Sequence, residues 1–156
     1  MSTPLPRAAQ GVMDGHVHRL PVRVYYEETD AGRMVYHAAY LKFAERARTE
    51  MMRLCGLDHM TMMEQDGLVF TVHSADIRYK RQAKLDDELI VSTEVAGLRG
   101  ASMTMAQTVS RIDNGALGPT IAELELKLAV VDMAGRPVRL PQSLKETLER
   151  LRLDKG

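Results

Sequence analysis

The sequence predicts an α+β fold in which an antiparallel β-sheet wraps around one central α-helix. Three observations support this prediction: one segment with an apolar stripe at helical spacing, four long strand-like segments after it, and turn signals between those segments. A helix with a single apolar stripe needs a surface to cover it, and the sheet is the simplest such surface. At 156 residues the chain is expected to form one domain, spanning residues 18–156.

The predicted elements before the sheet are an arm, a strand and two helices. Residues 1–17 are rich in Pro, Gly and Ala without periodicity, which predicts a flexible N-terminal arm. The β-branched and aromatic residues of 19–26 predict a first strand. A helix is predicted over residues 38–55, with a short second helix near residues 60–65; the stripe of the first helix is Leu41, Ala44, Ala47, Met51, Leu54 and Cys55.

The second half of the chain has the pattern of a sheet. Strands are predicted at residues 68–79, 88–96, 102–112 and 120–132, with turns at 97–100 and 113–115. The second of these turns reads Asp-Asn-Gly, which strongly favours a hairpin. Apolar and polar residues alternate from Glu123 to Val130, so this strand is expected to bury one face only. A last short helix is predicted after Pro141.

Composition excludes several classes of protein. Basic and acidic residues balance at 21 each, which argues against a nucleic-acid partner. The single cysteine, Cys55, excludes an internal disulfide framework and fits a reducing compartment. The N-terminus lacks the apolar stretch of a signal peptide, and no run reaches the length of a membrane span. We therefore expect a cytoplasmic protein without a membrane span.

The turn at residues 27–36 carries the side chains with the clearest chemical potential. Asp30 has the position of an ordinary turn or capping acid, and its alternative role is that of a nucleophile or general base on a carbonyl. His37 stands just before the helix, beside N–H groups that would stabilise an oxyanion. Spacing alone favours a structural role for both residues.

Other candidate ligands in the sequence are weaker. His16 and His18 form an H-x-H pair without an evident third ligand, so no metal site is predicted. Cys55 lies on the apolar stripe and is interpreted as a small buried hydrophobe. The basic cluster between two strands is either a solvated loop or a site for a phosphorylated ligand; its members are Arg78, Lys80, Arg81 and Lys84.

Two segments resemble a known family. Residues 22–53, VRVYYEETDAGRMVYHAAYLKFAERARTEMMR, resemble the signature of the 4-hydroxybenzoyl-CoA thioesterase-like hotdog family. Within that family they are nearest to the Tol–Pal-associated acyl-CoA thioesterases of Gram-negative bacteria. Residues 77–91, IRYKRQAKLDDELIV, resemble the family's segment between its second and third strands.

The resemblance implies a hotdog fold and hydrolysis of acyl-CoA to a free acid and coenzyme A. It implies that Asp30 is the catalytic carboxylate, that His37 is a second functional position, and that the backbone N–H groups of Val35, Tyr36 and His37 form the oxyanion site. The basic cluster would hold coenzyme A, which is part of the substrate, so no separate cofactor is expected. A homodimer or homotetramer is implied, and acyl carrier protein is a further candidate partner.

Four positions depart from the family pattern and bear on the preferred substrate. Ala39 stands where Asn or Ser is usual, Arg33 where Gly is frequent, Gln82 where Pro is frequent, and Ala44 where a bulky aromatic residue is frequent. Two alternatives to hydrolysis stay open: a hotdog hydratase or dehydratase, and a non-catalytic module that binds acyl-CoA or acyl carrier protein.

Overall fold

The computed structural model describes residues 2–152. Met1 of the predicted arm and residues 153–156 of the predicted domain lie outside the described residues. The strands are β1 (Val12–Asp14), β2 (Val17–Arg23), β3 (Leu68–Tyr79), β4 (Glu88–Arg99), β5 (Ser102–Asp113) and β6 (Ala116–Asp132). The helices are α1 (Ala39–Leu54), α2 (His59–Thr61) and α3 (Gln142–Leu151), with a π-helical turn at Met62–Asp66 after α2.

One antiparallel sheet contains all six strands, in the order β1-β2-β4-β5-β6-β3. Helix α1 packs mainly against β2 and β4 and buries one face on the sheet. This arrangement confirms the predicted α+β class and the predicted long helix. The strands predicted at residues 68–79, 88–96, 102–112 and 120–132 are all present, three of them longer than expected.

The buried face of α1 is rotated from the predicted stripe. Ala44 and Ala47 are fully buried, as expected, and their small size lets the helix approach the sheet closely. Leu41 and Leu54 were assigned to the stripe, but each is 40% exposed, so that part of the prediction is wrong. The aromatic residues Tyr40 and Phe43 fill the core instead. Tyr40 precedes Leu41 in sequence and therefore lies about 100° away from it around the helix, so the buried face includes Tyr40 and leaves Leu41 at its margin.

A buried polar clamp joins α1 to the sheet. The Gln107 side chain on β5 donates from Nε2 to the carbonyl oxygen of Ala44 (2.9 Å) and to Oγ1 of Thr93 on β4 (2.8 Å). Its Oε1 accepts from the guanidinium of Arg48 at 3.0 Å. Burial lowers the pKa of the Arg48 guanidinium. Each of these buried side chains thus has a hydrogen-bond partner within the clamp.

The N-terminal region differs from the sequence prediction. Within the segment predicted to be a flexible arm, Val12–Asp14 forms strand β1 and pairs with Val17–Arg19 of β2. The signal was missed because β1 has only three residues. The close approach of this hairpin requires a glycine, since a Cβ on Gly11 would lie 2.3 Å from the carbonyl oxygen of Arg19. Flexibility of the preceding residues stays a prediction.

Strand boundaries shifted for local reasons. Strand β2 ends at Arg23 rather than at residue 26, because the chain turns into a short 3₁₀ segment at Tyr26–Glu28. Strands β4 and β5 continue to a tight turn at Gly100 and Ala101, so residues 97–99 are strand rather than turn. Strand β6 begins at Ala116, directly after the predicted Asp-Asn-Gly turn.

The outer edge of β3 is open. β3 is the last strand in the sheet order and pairs only with β6 among the described residues. Residues 71–76 in the middle of this strand are all exposed. An exposed strand edge of this length offers unsatisfied backbone groups to another chain.

Replacing Gln107 with Leu should destabilise the fold by about 3 kcal/mol, because it leaves the buried Arg48 guanidinium and the buried Thr93 hydroxyl without this hydrogen-bond partner. Urea unfolding of the variant measures this change. The matched control is Gln142→Leu on the exposed start of α3, with an expected change within about 0.5 kcal/mol. Equal effects of the two substitutions would contradict a structural role for the clamp.

Candidate active site

The turn that carries Asp30 is held by backbone hydrogen bonds. Thr29 and Val35 form an isolated antiparallel bridge across it. Inside the bridge, the Asp30 N–H donates to the carbonyl oxygen of Met34 (2.9 Å) and the Arg33 N–H donates to that of Asp30 (2.9 Å). A second bridge joins Met34 to Lys84, which anchors the turn to the segment before β4. The turn therefore has a defined shape although it lies on the surface.

The Asp30 carboxylate has one occupied and one open oxygen. Its Oδ1 accepts from the backbone N–H of Gly32 at 2.9 Å and from that of Met34 at 3.4 Å. Oδ2 has no hydrogen-bond partner among residues 2–152, and the side chain is exposed. The structural role expected of a turn aspartate is thus real, but it uses only one of the two oxygens. The other is free to meet a water molecule or a carbonyl carbon.

The neighbouring acids separate in the structure. Glu28 turns inward and is 6% exposed, and its Oε2 accepts from the Tyr25 N–H at 3.0 Å. The other oxygen of Glu28 is buried without a hydrogen-bond partner among the described residues. Glu27 is exposed. Glu28 therefore helps to shape the turn from beneath, while Asp30 faces solvent.

Two of the three predicted oxyanion donors are already occupied. The Val35 N–H donates to the Ala83 carbonyl oxygen at 2.9 Å, and the Tyr36 N–H donates to that of Glu28 at 2.8 Å. The first N–H within α1, that of Ala39, donates to the Tyr36 carbonyl oxygen at 2.8 Å. The His37 N–H has no acceptor among the described residues. The predicted backbone site is therefore reduced to His37, because Ala83 and Glu28 accept the hydrogen bonds of the other two donors.

His37 is held through its backbone by a residue that the sequence analysis did not select. The hydroxyl of Tyr79, at the end of β3, donates to the His37 carbonyl oxygen at 2.9 Å. The Tyr79 ring also contacts that of Tyr40, with ring centroids 5.7 Å apart. The signal for Tyr79 was its place inside the second family-like segment. The exposed His37 ring packs against Tyr36 at 4.4 Å and makes no hydrogen bond to Asp30.

The basic cluster divides into two parts. Lys84 is next to the turn, through its bridge to Met34, and its ammonium has no carboxylate within 4.0 Å among the described residues. Arg78 and Lys80 form long, exposed ion pairs with Asp76 (3.8 Å) and Glu123 (4.0 Å). The Arg81 guanidinium donates to the Thr120 carbonyl oxygen at 2.9 Å, which is one further surface contact.

The remaining candidate ligands have structural surroundings. His18 is fully buried, and its Nε2 donates to the Gln10 carbonyl oxygen at 2.7 Å. Burial lowers the pKa of His18 and raises the pKa of the Cys55 thiol, so neither group gains charge at neutral pH. Within residues 2–152, His, Cys, Asp and Glu form no group of three suited to a metal ion. None of the described helices has the length and apolarity to cross a membrane.

Comparison with known proteins identifies relatives along most of the chain. The sequence model of the Thioesterase-like superfamily matches residues 24–148. The acyl-CoA thioesterase YbgC of Haemophilus influenzae is 42% identical over 133 residues, which are 85% of this chain and 94% of that protein. The acyl-CoA thioester hydrolase YbgC of Escherichia coli is 39% identical over 133 residues, 85% of this chain and 96% of that protein.

Solved structures agree with the sequence relatives. A probable thioesterase from Bartonella henselae superposes with a TM-score of 0.72 at 31% identity, over 80% of this chain and 99% of that chain. A 4-hydroxybenzoyl-CoA thioesterase superposes with a TM-score of 0.79 at 18% identity, over 85% of this chain and 99% of that chain, and shows the shared fold. The chain belongs to the thioesterase-like superfamily, and the predicted hotdog fold is confirmed.

The structure explains why glycine is frequent at position 33 in the resembled family. Arg33 has φ of 61°, in the left-handed region, where a residue with a Cβ is strained. Arg33→Val should lower the free energy of unfolding by about 1–2 kcal/mol, since a β-branched residue tolerates this region worst. Arg33→Gly should change it by less than about 1 kcal/mol, because relief of strain is offset by entropy of the unfolded chain.

Thermal and urea unfolding measure both changes. Arg139→Val serves as the control, because Arg139 is also exposed but has no positive φ. A loss of stability as large in the control as in Arg33→Val would show that the strained backbone is not its cause.

Proposed function

We propose that the protein hydrolyses acyl-CoA thioesters to a carboxylic acid and coenzyme A, with Asp30 as the catalytic carboxylate. The observation that carries the proposal is the open Oδ2 of Asp30, in a turn that leads directly to the free N–H of His37 at the start of α1. The relatives named as acyl-CoA thioesterases support the reaction class. An anion formed from a thioester carbonyl is stabilised by such an N–H and by the positive end of the helix.

The reaction needs only the substrate, water and these groups. As a general base, Asp30 takes a proton from a water molecule while the oxygen of that water forms a bond to the carbonyl carbon of the thioester. The carbonyl oxygen becomes an anion and accepts from the His37 N–H. Collapse of this intermediate breaks the carbon–sulfur bond, and the proton held by Asp30 passes to the departing thiolate. As a nucleophile, Asp30 would first form an acyl anhydride, which water then hydrolyses to the same products.

The basic residues are assigned to coenzyme A in this proposal. The Lys84 ammonium has no acidic partner within 4.0 Å among the described residues and adjoins the Asp30 turn. The ion pairs of Arg78 and Lys80 are exposed and long, so each contributes little and is readily exchanged for a phosphate. With Arg81 they give the substrate's phosphates a basic surface. Coenzyme A is part of the substrate, and no separate cofactor is proposed.

The open edge of β3 supports a homodimer. Pairing of this edge with a second copy would satisfy the exposed backbone groups of residues 71–76 and extend the sheet across both chains. A tetramer of two such dimers is the larger assembly that the family resemblance predicts. Acyl carrier protein as an alternative acyl donor and an association with the Tol–Pal system remain predictions from that resemblance, and a cytoplasmic location remains a prediction from composition.

Replacing Asp30 with Asn should lower kcat on acyl-CoA substrates by about 10²–10⁴-fold, because the amide neither accepts a proton nor attacks a carbonyl. The amide oxygen still accepts from Gly32 and Met34, so the turn and the melting temperature should be preserved. Release of free thiol, followed with a chromogenic disulfide across an acyl-CoA panel, measures the change.

The matched control is Asp132→Asn. Asp132 holds another turn in the same way, since its Oδ1 accepts from the N–H groups of Ala134 (2.9 Å) and Arg136 (3.0 Å). This variant should keep wild-type kcat. Full activity of Asp30→Asn would remove Asp30 from the mechanism. Tight binding of acyl-CoA by the wild type without thiol release would favour the binding module, and hydration of enoyl-CoA would favour the hydratase.

Sedimentation velocity at micromolar concentration should show the wild-type chain as a dimer or a tetramer, because the exposed β3 edge is unsatisfied in a single chain. A monomer over the whole concentration range used for the activity assay would contradict the proposed homodimer. The measurement is independent of activity, so it tests the assembly separately from the reaction.

A further inference from the structure

Two cavities lie side by side near the C-terminal half of α1. The first, of about 210 Å³, is bounded on its polar side by Glu45, Arg48 and Thr49 of α1. The rest of its wall is apolar: Met52, Phe70, Val72, Met103, Met105 and Leu128. The second, of about 250 Å³, lies between α2, the π-helical turn and the start of β3, and its own lining is Met60, Met62, Met63, Leu68 and Val69.

The two cavities share one wall. His59 and Phe70 line both, and their rings are in contact with centroids 6.0 Å apart. No other residue lines both cavities. The pair therefore acts as a partition between two chambers that would otherwise be continuous.

Both chambers have walls suited to an alkyl chain. Six of the eleven methionines of the protein line them, and unbranched thioether side chains adapt to varied apolar shapes. The only groups with a formal charge at the first chamber, Glu45 and Arg48, are on the α1 side, and Arg48 is held by Gln107. The second chamber is bordered by a π-helical turn, an element that is often found at functional sites.

The proposed dimer brings this region to a catalytic turn. In its own chain the first chamber is far from Asp30, because Arg48 lies nine residues beyond Ala39, about 14 Å along α1. Two β3 strands related by a two-fold axis pair antiparallel. If the two strands pair about the middle of β3, the partner subunit's Tyr79 lies opposite Leu68. Within each chain the Tyr79 hydroxyl donates a hydrogen bond to the His37 carbonyl oxygen. The chamber of one subunit therefore adjoins the catalytic turn of the other.

We propose that the two chambers receive the acyl chain of the substrate and that the Phe70–His59 pair sets its length. This inference rests on the proposed hydrolysis and names its substrate class: unbranched acyl chains of medium length. At about 30 Å³ for a group of the size of water, a chamber of about 210 Å³ holds roughly seven methylene groups. An acyl group of about eight carbons fills the first chamber, and a longer chain meets the partition.

Phe70→Ala opens the partition and is the central test. The ratio of kcat/KM for hexadecanoyl-CoA to that for octanoyl-CoA should rise about tenfold or more, because the added methylene groups gain an apolar chamber. The double variant with Phe70→Ala and Met60→Trp should return the ratio toward the wild-type value, since the exposed Met60 lets the larger ring fill the second chamber without disturbing the core. Leu117→Trp, at an exposed position on β6, is the control for a bulky surface residue and should leave the ratio unchanged.

The result that overturns the proposal is an unchanged ratio in Phe70→Ala. If that variant fails to fold, Val72→Trp tests the same point, because Val72 is 48% exposed and lines only the first chamber. It should lower kcat/KM for octanoyl-CoA relative to butyryl-CoA, and an unchanged ratio would again overturn the proposal. Absence of thiol release from every acyl-CoA by the wild type would instead reject the proposed hydrolysis.

A mixed dimer tests whether the chamber serves the opposite subunit. A chain with both Asp30→Asn and Phe70→Ala is co-expressed with the wild-type chain, and the heterodimer is purified through two different tags. If the widened chamber serves the intact Asp30 of the other chain, the heterodimer shows the raised ratio for hexadecanoyl-CoA. A wild-type ratio would show that each chain uses its own chamber and would overturn this arrangement.

Discussion

The position of α1 on the sheet is the constraint on which the rest of the molecule depends. Burial of apolar surface holds the helix against the strands but does not fix its position along its axis, because the hydrophobic effect is non-directional and scales with the buried area. The Gln107 clamp adds direction, since its amide meets the Ala44 carbonyl and the Arg48 guanidinium from β5 while also reaching Thr93 on β4. A helix shifted along its axis would leave these buried groups unsatisfied, at a cost of several kcal/mol.

The start of α1 inherits this fixed position. With the helix in place, His37 comes within reach of the Tyr79 hydroxyl at the end of β3, and the preceding turn is tied to the segment before β4 through Lys84. The site is consequently built from backbone held by the Tyr79 hydroxyl and by the bridge to Lys84, rather than from a compact set of side chains. Asp30 needs no charged neighbour for this arrangement. Its turn already holds one carboxylate oxygen and leaves the other open.

Sequence patterns predicted the elements well where each had a long periodic segment. The 16 residues of α1 and the alternation in β6 are such cases, because a repeated pattern averages out the effect of any single residue. The three-residue β1 had no period to detect, and its pairing depends on Gly11 allowing the backbones to approach. Leu41 shows a second limit of sequence patterns, because they do not fix which face of a helix is buried. A stripe shifted by one residue has the same three- and four-residue spacing as the correct stripe.

The sequence alone determined the fold class, the long helix and the turn that carries Asp30 and His37, because these depend on local patterns and on a specific family-like segment. Tertiary structure alone decided which N–H groups stay free, since Val35 and Tyr36 lose theirs to Ala83 and to Glu28. It also brought Phe70 against His59, from segments separated by the π-helical turn, and so divided the apolar space beside α1. These hydrogen bonds and cavities form between elements that the fold brings together. A pattern of residues along the chain therefore does not predict them.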